Sequence, residues 1–171
     1  MQNRILIVGI GNEFMGDDAL GPATIARFAS GYDFTPAVEL KDLGLGGIRL
    51  LDYLSGRDAV LIIDVLDIAG RAPGEVIRFS KAELVSGPPG ARLSPHELSL
   101  KETMLLADKL GAGAAGVVLF GIVGKTFDMG SGLSDELRAA LPALDAAVAA
   151  ELSRFGVTMR LKRPPGSEPL E

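Results

Sequence analysis

Cysteine is missing from all 171 residues, which removes disulfides, thiolate nucleophiles, zinc fingers and iron–sulfur ligation together. Any metal ion held by this chain must therefore rest on oxygen and nitrogen. Histidine is almost as scarce, with His96 its single occurrence. Long apolar runs are also absent: 59–63 and 117–120 fall far short of the roughly 20 residues needed to cross a bilayer. The run that opens at Ile5 is broken by Gly9, Gly11, Asn12 and Glu13, unlike the core of a signal peptide. Basic clustering is limited to Arg160, Lys162 and Arg163, with Glu168 and Glu171 close behind. With a net charge of −5, a nucleic-acid surface is not expected. These absences predict a soluble, cytoplasmic protein with neither nucleic acid nor membrane as partner.

What is present is a globular balance, 47% apolar against 23% charged, in a chain long enough for one buried core. Strand-like and helix-like stretches alternate, as in layered α/β domains. Strands are expected at 4–10, 38–40, 59–65 and 117–123, with 75–79 an edge or accessory strand and 157–161 a final one. Helices are expected at 20–30, 47–54, 95–110 and 134–155. Pro142 inside the last of these predicts a kink or a break near Leu141. One domain is expected over 1–162. The remaining stretch, 163–171, has three prolines and a glycine and is expected to be a flexible tail.

Gly9-Ile10-Gly11-Asn12 follows the first strand and invites a dinucleotide-binding reading. That fingerprint requires a third glycine where Phe14 stands, and it fails. The glycines still permit close backbone approach to something bound beyond the strand's carboxyl end. Asp17-Asp18 comes next, at the entry to a helix, where a carboxylate pair can simply complement the helix dipole. Asp64 closes five apolar residues. Ionised groups in such a place are costly unless paired or ligated, and ligands bind at that edge of open α/β sheets.

Ser94-Pro95-His96-Glu97 fits a capping box with Pro95 at the first helical position, and Leu93 and Leu98 fit a hydrophobic staple. This places His96 in the first turn, where the helix dipole favours the neutral imidazole that a metal needs. Asp18, Asp64 and His96 thus make a candidate nitrogen–oxygen site for a divalent metal ion, with positions open for water or substrate. Rival hydrolase signatures fail, because no second histidine completes H-E-x-x-H and no G-x-S-x-G elbow occurs.

In this order and spacing the motifs resemble those of the [NiFe]-hydrogenase maturation endopeptidases. They are Gly9-Ile10-Gly11-Asn12 with Asp17-Asp18 and Gly21, Asp42-Leu43-Gly44 with Gly47, Ile62-Ile63-Asp64 with Pro73-Gly74, and Ser94-Pro95-His96. Ala19 departs from the glycine many members carry. The resemblance implies a three-layer α/β/α sandwich, phosphorylase/hydrolase-like, around a mainly parallel sheet of about five strands. It implies a monomeric, aspartyl-protease-like enzyme that removes the C-terminal extension of a hydrogenase large-subunit precursor after nickel insertion. Asp18, Asp64 and His96 take the metal-contacting and catalytic places, and the nickel comes with the substrate, although other divalent ions can occupy the site. Gly11, Asn12, Asp42, Gly44 and Gly47 are expected to face the substrate. Two alternatives stand beside this one: a non-catalytic nickel checkpoint, and a metal-dependent hydrolase of a small molecule.

Overall fold

The computed structural model describes residues 4–87, 95–130 and 132–163, with the side chains of 95–99 outside that set. In chain order the elements are β1 (Ile5–Gly9), α1 (Leu20–Gly31), β2 (Tyr32–Thr35), β3 (Glu39–Asp42), α2 (Leu51–Leu54) and β4 (Ala59–Leu66). There follow β5 (Val76–Ser80), α3 (Lys81–Ser86), α4 (Pro95–Lys109), β6 (Val117–Val123), α5 (Asp135–Arg154) and β7 (Thr158–Leu161). Two 3-10 turns, Gly16–Ala19 and Gly47–Leu50, lead into α1 and α2.

Every residue of β1, β4 and β6 is buried. Continuous apolar runs of this kind suit parallel strands covered on both faces. These three lie at the centre of a five-stranded sheet of order β3-β1-β4-β6-β5. The neighbours are parallel except for β5, which pairs antiparallel with β6 at one edge. Side-chain alternation then divides the core. Ile5 and Ile7 of β1, with Leu61 and Ile63 of β4, pack with Phe28 of α1 and Leu144 and Val148 of α5. Leu6 and Val8, with Val60 and Ile62, pack on the other face with Leu54, Leu84, Leu100 and Met104 from α2, α3 and α4. The result is the three-layer sandwich expected, with its mostly parallel five-stranded sheet.

Three local features refine the expectations. The helix expected to kink or break near Leu141 runs unbroken from Asp135 to Arg154. Pro142 removes one amide donor, but Arg138 and Pro142 both lie on the exposed side, where water can satisfy the freed carbonyl. Leu137, Leu144, Val148 and Leu152 hold the buried side against the sheet. Second, the expected final strand is present as Thr158–Leu161 and lies outside the main sheet. It pairs antiparallel with β2, from Tyr32↔Leu161 to Thr35↔Thr158, and β2 itself was not expected. Third, α3 is an additional helix, closed by a capping box in which Ser80 and Glu83 satisfy each other's backbone donors.

Helix α4 starts at Pro95, as the capping signal predicted, and Gly111 beyond its end has a positive φ of 63°. Ser94, with the rest of 88–94, lies outside the described residues, as does 164–171, nearly all of the expected tail. An ion pair between Lys81 and Asp108 ties the end of α4 to the sheet edge where β6 begins. Fifteen residues of helix span about 22 Å, so the start of α4 is carried to the opposite edge, where the parallel strands end.

Candidate active site

At that carboxyl edge, the chain leaves β1 through a loop that folds back on itself. Asn12 Oδ1 accepts the Phe14 amide at 3.0 Å, and the Asn12 carbonyl accepts the Met15 amide at 3.1 Å. The Asn12 amide donates to Asp18 Oδ2 at 2.9 Å, which orients that carboxylate. Asp18 sits in the turn Gly16–Ala19 and is 8% exposed. Gly11 is needed beside it for two reasons. Its φ is +135°, and a Cβ there would stand 2.0 Å from the Asp18 carbonyl oxygen and 3.4 Å from Asp18 Oδ1.

The loop after β3 meets the same place. Asp42 Oδ1 accepts the Gly44 amide at 2.8 Å, and the Gly44 carbonyl accepts the Gly11 amide at 2.9 Å. Between the two loops is a cleft of ≈ 170 Å³, floored by Gly11, Asn12, Asp42 and Gly44 and walled by Phe14 and Leu45. Gly47 is buried, and its carbonyl accepts the Thr103 hydroxyl of α4 at 3.4 Å. A larger cavity of ≈ 580 Å³ lies along the β2–β7 ribbon beside Asp33, Thr35 and Arg160, and none of the three candidate residues lines it.

Asp64 is fully buried in β4, which continues two residues past it to Leu66. Its Oδ1 accepts the Val65 amide at 2.8 Å. The Ile10 amide donates to the Ile63 carbonyl at 3.0 Å, and the turn that holds Asp18 packs against β4. Asp18 and Asp64 are thus carried by touching elements. His96 belongs to the first turn of α4, the helix end at this edge, but its side chain is outside the described residues. Among the described residues, no three His, Asp or Glu side chains gather closely enough to hold a metal ion.

Asp17 is the residue whose role the sequence concealed. It is fully buried, and its carboxylate accepts three backbone amides: Lys125 at 2.7 Å, Thr126 at 3.1 Å and Ser134 at 2.7 Å. Its own amide donates to the Thr126 carbonyl at 2.8 Å. Asp17 is therefore an anchor for the loop that follows β6, and Asp18 alone of the pair stands against Gly11 and Asn12. In the sequence the two looked equivalent. Only the position of Asp17 beneath a loop more than 100 residues away separates them.

The chain and its fold are similar to those of known proteins. The HycI family model, described as hydrogenase maturation protease, matches residues 22–151. The chain belongs to the hydrogenase maturation proteases. It shares 28% identity over 148 residues with the Hydrogenase 2 maturation protease of Escherichia coli (strain K12), covering 86% of this chain and 90% of that protein. The hydrogenase expression/formation protein HupD of Bradyrhizobium diazoefficiens is 29% identical over 168 residues, which is 97% of this chain and 86% of the relative. Among solved structures, the hydrogenase maturating endopeptidase HybD from E. coli superposes with a TM-score of 0.84 at 26% identity, over 93% of this chain and 98% of that one. Membership decides the class left open by the sequence: an endopeptidase, a hydrolase of peptide bonds, acting in the maturation of hydrogenase large subunits. No helix among the described residues is long and apolar enough to cross a membrane.

Proposed function

We propose that this enzyme removes the C-terminal extension of a [NiFe]-hydrogenase large-subunit precursor once nickel has been inserted, and that it recognises the nickel as part of its substrate. The observation that carries this reading is the pair of carboxylates Asp18 and Asp64, one nearly and one wholly buried, on touching elements at the carboxyl edge. A divalent ion presented by the precursor lowers the cost of keeping two carboxylates there. His96, from the first turn of α4, supplies the nitrogen donor of the set. The adjoining cleft, with Asn12, Asp42 and Gly44, receives the peptide.

Hydrolysis adds the oxygen of water to the scissile carbonyl carbon and passes a proton to the leaving amine. The substrate's nickel can polarise that carbonyl or acidify a bound water. Equally, one of the two aspartates can take the proton from the attacking water. The reading further implies a cytoplasmic monomer that binds nickel, or another divalent ion in its place, only weakly without the precursor. Incubation with nickel-loaded and nickel-free precursor, followed by mass spectrometry, tests it. Loss of the extension from the loaded precursor alone is expected. Equal cleavage of both would remove nickel from the recognition step, and cleavage of neither would remove the proposed activity.

A further inference from the structure

Five of the nine exposed large apolar side chains among the described residues lie in the loops and turn at the carboxyl edge of the sheet: Phe14, Leu45, Ile48, Phe127 and Met129. Phe14 is 66% exposed, Leu45 59% and Met129 80%. Isolated apolar residues on a surface are ordinary, but these are connected. Phe14 and Leu45 wall the same cleft. Met15 and Met129 form a β-bridge, and the Gly130 amide donates to the Phe14 carbonyl at 2.8 Å, which sets Met129 alongside the Phe14 loop. The loop bearing Met129 is held down by the amides of Lys125 and Thr126 on Asp17, so it is a fixed wall. Asn12, whose side chain caps the Phe14 amide, is the residue that orients Asp18.

We propose that Phe14, Leu45 and Met129 form an apolar shelf on which the hydrogenase large-subunit precursor docks, so that its scissile segment lies along the cleft beside Asp18. The occupant follows from continuity. The shelf borders the cleft of an endopeptidase, and the polypeptide being cut must pass across whatever frames that cleft. A shelf made of apolar side chains selects an apolar stretch of the precursor and contributes to binding more than to the chemical step.

This inference rests on the function proposed above, and binding measured apart from cleavage separates the two. The probe is the purified large-subunit precursor of the host's own [NiFe]-hydrogenase, immobilised with its extension intact. Phe14→Ser and Met129→Ser are each expected to weaken binding about tenfold, as for anchors at an interface centre. They should raise KM to match and leave kcat at saturation near that of the parent. Leu110→Ser is the control, because Leu110 is 63% exposed just past α4, at the other edge of the sheet. It should change neither quantity.

Unaltered precursor binding by Phe14→Ser and Met129→Ser would overturn the shelf. So would a fall in kcat at constant KM, or a change in self-association in place of precursor binding. If the parent binds the precursor and does not cut it, the proposed function fails while the variants' affinities still decide the shelf. If the parent does not bind, both fail.

Discussion

Asp17 Oδ1 accepts the amide of Ser134 at 2.7 Å, joining the turn before α1 to the cap of α5 across 117 positions of sequence. Ser134 is also the N-cap of that helix, and its hydroxyl accepts the Leu137 amide. The carboxylate thus lies at the positive end of a 20-residue helix, which favours its charge. With both oxygens occupied by amide donors, an isostere that exchanges one oxygen for NH2 must set a donor against a donor. Asp17→Asn is therefore expected to destabilise the fold by about 3 kcal/mol. Urea denaturation measures it, and a change under 1 kcal/mol would show that the three amides do not depend on the charge.

Asp18 differs from its neighbour in consequence as well as in place. Its side chain stands against Gly11, which lines the cleft, and accepts the Asn12 amide. Asp18→Asn should keep the far-ultraviolet circular dichroism of the parent and lower processing of nickel-loaded precursor at least a hundredfold, the scale on which removed charge or proton transfer acts. His96→Ala should behave alike. A variant of either kind that trims loaded precursor at the parent's rate removes that residue from the site.

How much of this was legible depends on the range of the interactions. Strands β1, β4 and β6 announce themselves as unbroken apolar runs, because a strand covered on both faces has no polar alternation to lose. Asp64 stood out as a charge ending such a run, and Pro95 as the start of α4. The ribbon of β2 and β7 was half seen, since Tyr32–Thr35 is four residues of alternating exposure directly after a helix. Its pairing with Thr158–Leu161 is set by where α5 ends. The Ser80–Glu83 capping box was readable, and the S-x-x-E spacing should have revealed α3. Asp17 had no such signal: its three partners lie more than 100 residues on, and nothing local marks it as buried.

Gly11 offers a test of close approach against backbone conformation. Gly11→Ala carries both a φ of +135° and a Cβ 2.0 Å from the Asp18 carbonyl oxygen. Gly70→Ala carries only a φ of +80°, with no atom within 4 Å of the new Cβ. The second should cost about 1–2 kcal/mol of stability and leave processing unchanged. The first should displace Asp18 and lower processing about a hundredfold beyond any loss of folded protein, since ångström-scale misplacement acts on that scale. Equal activity in the two variants would mean that the Asp18 turn yields freely.

On the sheet face that carries α1 and α5, Asp145 binds two partners from α1 and β2. It takes both terminal nitrogens of Arg27, at 2.5 and 2.6 Å, and the Tyr32 hydroxyl at 2.6 Å. The hydrogen bond to Asp145 holds the phenolic proton and raises the Tyr32 pKa, with burial and the carboxylate's charge adding to it. A tyrosine whose pKa is raised on folding stabilises the native state fully below its ordinary value, about 10. That contribution is lost as pH rises through the raised value. Tyr32→Phe keeps the ring that meets Phe28 edge-on and removes only the hydroxyl. The variant should be less stable than the parent by about 1 kcal/mol at pH 8, and the gap should narrow as the pH is taken above 10. Denaturation of both proteins across that range measures it, and a gap independent of pH would show that the hydroxyl's proton is not what Asp145 holds.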